Sequence, residues 1–75
     1  MSTIKLGQYR HYKNKLYNVI GVARHSENPD EEFVIYQAMY EGDFPKDQIW
    51  IRPYHMFLET VEVDGKIIPK FEFIK

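Results

Sequence analysis

The sequence predicts an all-β fold: a small SH3-like antiparallel barrel of five to six strands, with a short 3₁₀ turn near residues 53–58. Three observations point there. The run Leu16-Tyr17-Asn18-Val19-Ile20-Gly21-Val22-Ala23-Arg24-His25 is apolar on both parities, with Tyr17, Val19 and Ala23 on one and Leu16, Ile20 and Val22 on the other. Such a strand is buried on both faces, or bends so that its halves face different neighbours. Short β-branched and aromatic runs recur along the chain with turn signals between them, the pattern of a barrel or half-barrel. Asp64-Gly65 follows the alternating run Glu59 to Val63 and is the strongest short hairpin signal present. The order of four strands, a 3₁₀ turn and a further strand matches the SH3-like barrel, and that analogy says nothing about a ligand.

Taken in order, residues 1–6 read as a flexible lead-in to one domain spanning 1–75, with Ile4 and Leu6 available to pin it to the body. Gln8 to Tyr12 alternates as a first strand. Lys13-Asn14-Lys15 is a tight connection, and Asn14 tolerates positive φ. This places Tyr12 near Leu16 and Arg10 near Asn18. The long strand follows, with a bulge or bend expected at Gly21. Ser26 to Glu31 reads as a loop, because Pro29 cannot donate to a ladder and three acids keep the segment wet.

Glu32 to Tyr40 is a third strand, rich in residues that favour pleated structure. Glu41 to Asp47 is a second loop with Phe44 tucked beneath it, and Gln48 to Arg52 is a fourth strand. Pro53 to Leu58 is too short for a stable α-helix and reads as a 3₁₀ turn plugging one barrel end with Met56 and Phe57. Glu59 to Val63 alternates. A two-residue turn at Asp64-Gly65 then pairs Val63 with Lys66 and Val61 with Ile68. Pro69 marks the return arm as an edge, and Phe71 and Phe73 close the core.

Composition bounds the rest. The 75 residues contain six Tyr, five Phe and one Trp but no Cys, so stability rests on aromatic packing rather than on disulfides. No charged segment precedes an apolar run and no apolar stretch approaches a membrane span, which predicts a cytoplasmic protein without membrane association. The net charge of −1 gives no general attraction to nucleic acid. The charges are uneven, however. Residues 1–25 hold five Lys/Arg and no acid, whereas residues 26–75 hold five Lys/Arg and eleven acids, a local balance of −6. In a barrel, strands of the two halves interleave.

The stretches Gly7 to Lys13, Tyr17 to Glu27, Val34-Ile35-Tyr36, Met39-Tyr40, Trp50-Ile51-Arg52-Pro53 with Met56-Phe57, Glu59-Thr60-Val61, Asp64-Gly65-Lys66 and Pro69-Lys70-Phe71 carry a further signal. Through them the chain resembles a bacterial and archaeal family known as the domain of unknown function numbered 1653. Departures are small: Asn14-Lys15 and Lys70 differ from the usual types, and Glu41 to Asp47 is longer than is typical. The resemblance implies a small, mainly intracellular β domain and carries over no activity, cofactor or catalytic residue.

Eight residues are candidates for binding. Arg24, His25 and Glu27 form the densest polar group, able to grip an anion and position a proton. The structural alternative has Arg24 paired with Glu27 or Glu32 and Ser26 capping a turn. Arg10, His11 and Tyr12 lie on the neighbouring strand. Along the hairpin His11 and His25 lie far apart, although barrel curvature could bring them together; three His without a fixed ligand spacing make no metal or cofactor the expectation. Trp50 and Arg52 share a parity, where the Arg could stack on the indole or help hold a flat or anionic ligand; Trp50 as a core filler, with Ile51 facing a second apolar layer, is the alternative.

Tyr9, Tyr12, Tyr36, Tyr40 and Tyr54 could line a peptide groove, although a chain this short needs most of them in its core. No nucleophile motif, phosphate loop or paired carboxylates are present, which disfavours an enzyme. The expectation is a non-catalytic module binding a peptide or protein, as monomer or homodimer. The alternatives are an RNA or single-stranded DNA binder, and a small enzyme using Arg24, His25, Glu27 and Arg52.

Overall fold

The computed structural model describes residues 4–75. The fold is all-β and antiparallel. Its elements are β1 (Gly7–His11), β2 (Lys15–His25), β3 (Asn28–Ala38), β4 (Ile49–Pro53), α1 (Tyr54–Phe57), β5 (Thr60–Val63), β6 (Lys66–Pro69) and β7 (Phe71–Phe73). One sheet has the order β4-β3-β2-β1-β7, and β5-β6 form a separate hairpin. Among the described residues β4 and β7 do not pair with each other, so no closed barrel is found. Of the lead-in, residues 1–3 lie outside the described residues; Ile4 packs on the core and the Lys5 carbonyl accepts from the Tyr9 hydroxyl at 2.7 Å.

The long strand carries the main correction. It is not covered on both faces: Leu16 and Ile20 are exposed, Ile20 by 43%, while Val19 is 1% exposed. The register explains why both parities are nevertheless apolar. Val19 lies opposite Tyr36, but Gly21 lies opposite Ile35, so Ile20 is an extra residue on β2. A bulge of this kind moves every later residue to the other face. Tyr17 and Val19 point into the core before it, and Val22, opposite the fully buried Val34, continues that face after it. The bend expected near Gly21 is present, and it acts as a switch of parity.

Local chemistry sets the turns. Asn14 (φ 68), Asp64 (φ 53) and Gly65 (φ 80) adopt left-handed backbone where the sequence expects it, and β5 pairs with β6 as expected. The first hairpin is displaced: Arg10 lies opposite Leu16 and His11 opposite Lys15, which puts Tyr12 in the turn. Residues 28–31 belong to β3, not to a loop. Pro29 is tolerated there because β4 ends opposite Phe33, leaving Pro29 beyond it. That third strand ends at Ala38, two residues before Tyr40. The return arm breaks at Lys70, whose N–H bonds the Glu59 carbonyl, and this raises the strand count to seven.

Residues 54–57 form a single α-helical turn rather than a 3₁₀ turn, with Pro53 as its N-cap. It delivers Phe57 to the core at 1% exposure but leaves Met56 exposed. Phe57 stacks on Phe71 at 4.2 Å with the planes 10° apart, and contacts Tyr9 and Tyr36 at 5.5 Å each. Phe71 is buried, whereas Phe73 is partly exposed and meets Tyr9 edge-on. Ile51 faces water at 63% exposure, not a second apolar layer. The core is thus the inner face of one curved sheet, plugged by one ring from α1.

Candidate functional site

The register places a row of polar and aromatic groups at one end of the inner face. Tyr36, Ala38, Trp50 and Arg52 come from β3 and β4, Tyr17 and Lys15 from β2, and His11 from β1. Tyr40 follows β3 and closes the row. The Tyr17 and Tyr40 hydroxyls lie 2.6 Å apart, and the Lys15 ammonium sits 4.9 Å from the centre of the Tyr40 ring. Burial, then the bond to Tyr40, raises the Tyr17 hydroxyl well above the ordinary tyrosine range, so the Tyr17 hydroxyl stays protonated.

Beyond this row a cleft of about 440 Å³ opens, lined by Lys15, Ala38, Tyr40, Asp43, Phe44 and Trp50 among others. Phe44 meets Trp50 edge-on at 4.9 Å, and it is 55% exposed rather than tucked under its loop. Trp50 packs against the core on one side and walls the cleft on the other. Arg52 does not stack on Trp50. Its guanidinium lies 5.2 Å from the centre of the Phe71 ring, and its Nε donates to the Tyr36 hydroxyl at 3.1 Å. No carboxylate lies within ion-pair distance of it among the described residues.

The eight residues singled out by sequence do not converge. Arg10, His11 and Tyr12 line a shallow depression of about 300 Å³ with Ile68 and Glu72. Arg24 and His25 line another of about 230 Å³ with Phe33 and Ile51. Arg24 pairs with Glu32 at 3.7 Å and donates to the Pro29 carbonyl at 2.7 Å, so it pins its hairpin as the structural alternative anticipates. The His25 Nδ1 accepts from the Glu27 N–H at 3.0 Å, which makes both residues parts of the β2–β3 turn.

His11 does the same in the first turn, its Nδ1 accepting from the Lys13 N–H at 3.1 Å. Burial first, then the charges of Arg52, Lys13 and Lys70, holds His11 below the ordinary imidazole value. Among the described residues no three His, Cys, Asp or Glu side chains gather as metal ligands, and no helix is long and apolar enough to cross a membrane. Of the suspected tyrosines, Tyr9 and Tyr36 are buried and Tyr12 is exposed. The cleft residues missed by sequence include Lys15 and Phe44. An aromatic residue within the polar run Glu41 to Asp47 was the available signal for the second.

Comparison with known proteins agrees with this geometry. A family model described as a protein of unknown function, DUF1653, matches residues 7–73. The chain belongs to that family. Among solved structures it is similar to the crystal structure of a DUF1653 protein from Bordetella bronchiseptica, at 30% identity and a TM-score of 0.82. The match covers 95% of this chain and 87% of the other. No curated protein matches the chain.

Proposed function

We propose that this DUF1653 chain is a non-catalytic interaction module whose aromatic cleft takes a short protein segment bearing an apolar side chain, proline included, beside a carboxylate. The observation that carries the reading is the cleft walled by Tyr40, Phe44 and Trp50, with Ala38 at its floor and Lys15 at its rim. Aromatic walls of this kind accept proline and other apolar side chains at little entropic cost. Lys15 supplies a charge for the neighbouring carboxylate, and the spare N–H groups of Arg52 offer a second along the same face.

The SH3-like reading of the fold belongs to this proposal. The strand order, the bend in β2 and the helical turn after β4 support a half-open barrel of that kind. Nucleic acid is the weaker reading, because the chain is near neutral and Asp43 stands in the cleft.

Trp50 is the single tryptophan, so its fluorescence reports on the cleft directly. Peptides selected from a random displayed library against the chain are titrated against that signal. Acidic–apolar sequences are expected to shift Trp50 emission saturably, and the Lys15→Glu variant is expected to weaken binding at least tenfold. Selected peptides that leave Trp50 unchanged, or that bind Lys15→Glu and wild type equally, contradict the assignment.

A further inference from the structure

The free edge of β4 carries an unused set of backbone groups. The Ala38 N–H donates to the Gln48 carbonyl at 2.9 Å, and the ladder continues with Tyr36 opposite Trp50 and Val34 opposite Arg52. Bonded pairs alternate along an antiparallel ladder. Trp50 and Arg52 therefore turn their backbone groups to β3, as the Gln48 carbonyl does, while Ile49, Ile51 and Pro53 turn theirs away. Pro53 has no N–H, which leaves the Ile49 and Ile51 amides as the outward donors. No turn or loop backbone bond reaches either among the described residues.

The side chains there are equally bare. Ile49 is 52% exposed and Ile51 63%, both on the outer face, with Ile35 half-buried beside them. Edges are ordinarily protected by lysine, a bulge or a cover. Here the outward positions are two isoleucines, and the one blunting residue, Pro53, stands only at the strand's last position. The opposite edge strand, β7, is three residues long and flanked by Lys70 and Lys75.

We propose that β4 pairs with β4 of a second copy of this chain, antiparallel and two-fold about Trp50. Ile49 then lies opposite Ile51 of the other copy. Each Ile49 N–H meets an Ile51 carbonyl and each Ile51 N–H meets an Ile49 carbonyl, so four bonds form and neither residue keeps an unpaired group. The Ile49 carbonyl already accepts from the Gln48 side-chain amide at 3.2 Å and has a second lone pair for the other copy. The isoleucines form two cross-strand apolar pairs, and Arg52 lies opposite Gln48, so no like charges are opposed. A two-fold contact of this sort closes on itself and ends the exposed edge.

Sedimentation equilibrium of the full chain tests this. The expected species has twice the 9.1 kDa chain mass. Ile51→Pro deletes an outward N–H without touching the β3 ladder, and Ile51→Lys places a charge on the edge. Both variants are expected to sediment as single chains with the wild-type far-ultraviolet spectrum. Hydrogen exchange on the wild type adds an independent reading: Ile49 and Ile51 amides gain protection as protein concentration rises. A single-chain mass at millimolar wild-type protein overturns the proposal, as does a dimer that persists in the folded variants. Should both variants fail to fold, concentration-independent exchange at those two amides overturns it.

Discussion

Phe57→Ala removes the ring on which the inner face closes. Phe57 is 1% exposed, stacked on Phe71 and edged by Tyr9 and Tyr36. Its carrier, α1, has four residues and no side-chain cap, so it depends on packing more than on its own helical bonds. Truncating a buried Phe to Ala costs about 3–5 kcal/mol. A domain of this length has a total stability of roughly 4–11 kcal/mol, at roughly 0.05–0.15 kcal/mol per residue. The variant is therefore expected to lose at least a quarter of its stability and, at the far end, to be unfolded at 25 °C. Phe57→Leu retains most of the apolar area and is expected to lose mainly the ring contacts, about 0.5–1.5 kcal/mol each. Urea titration followed by far-ultraviolet circular dichroism reads both variants. A loss below about 1.5 kcal/mol for Phe57→Ala, with an unchanged denaturant slope, would refute the idea that this ring plugs the sheet.

Three further outcomes follow from the geometry. Gly7 has φ 133, and a Cβ there would lie 2.6 Å from the Lys75 carbonyl oxygen; Gly7→Ala is expected to cost about 1–3 kcal/mol in thermal unfolding and to loosen the β1–β7 end. Because His11 is held below its ordinary value, the unfolded chain binds a proton that the folded chain resists. Stability is full above the ordinary imidazole value and declines as pH falls from it through the folded value; His11→Gln is expected to flatten that slope in urea titrations across pH 7 to 5. Tyr17→Phe and Tyr40→Phe each remove one side of the 2.6 Å hydroxyl pair. Each is expected to cost about 0.5–1.5 kcal/mol, and the double variant less than the sum, as a double-mutant cycle would show.

What was legible in the sequence was local. Asn14 and Asp64-Gly65 announced their turns because positive φ is a property of the residue itself. The apolar density of residues 16–25 announced a long strand, and Gly21 announced its bend. The faces were not legible, because the extra residue at Ile20 reassigns every side chain after it, and only the pairing with β3 reveals it. The same holds for the site. Arg24, His25 and Glu27 looked like a cluster because they are neighbours in sequence, yet their bonds close a hairpin. Lys15 is far in the chain from Tyr40, Phe44 and Trp50, and the register with the intervening loop brings them to one cleft. The single α-helical turn at 54–57 escaped because isolated helix stability argues against it, whereas burial of Phe57 favours it.

The switch of parity within β2 underlies the core, the curvature of the sheet and the composition of the inner face. Cross-strand nuclear Overhauser contacts measure it directly. The account predicts Val19 opposite Tyr36 and Val22 opposite Val34. Contacts that keep Val19 opposite Tyr36 but place Val22 opposite Phe33 would mean an uninterrupted ladder, and would contradict it.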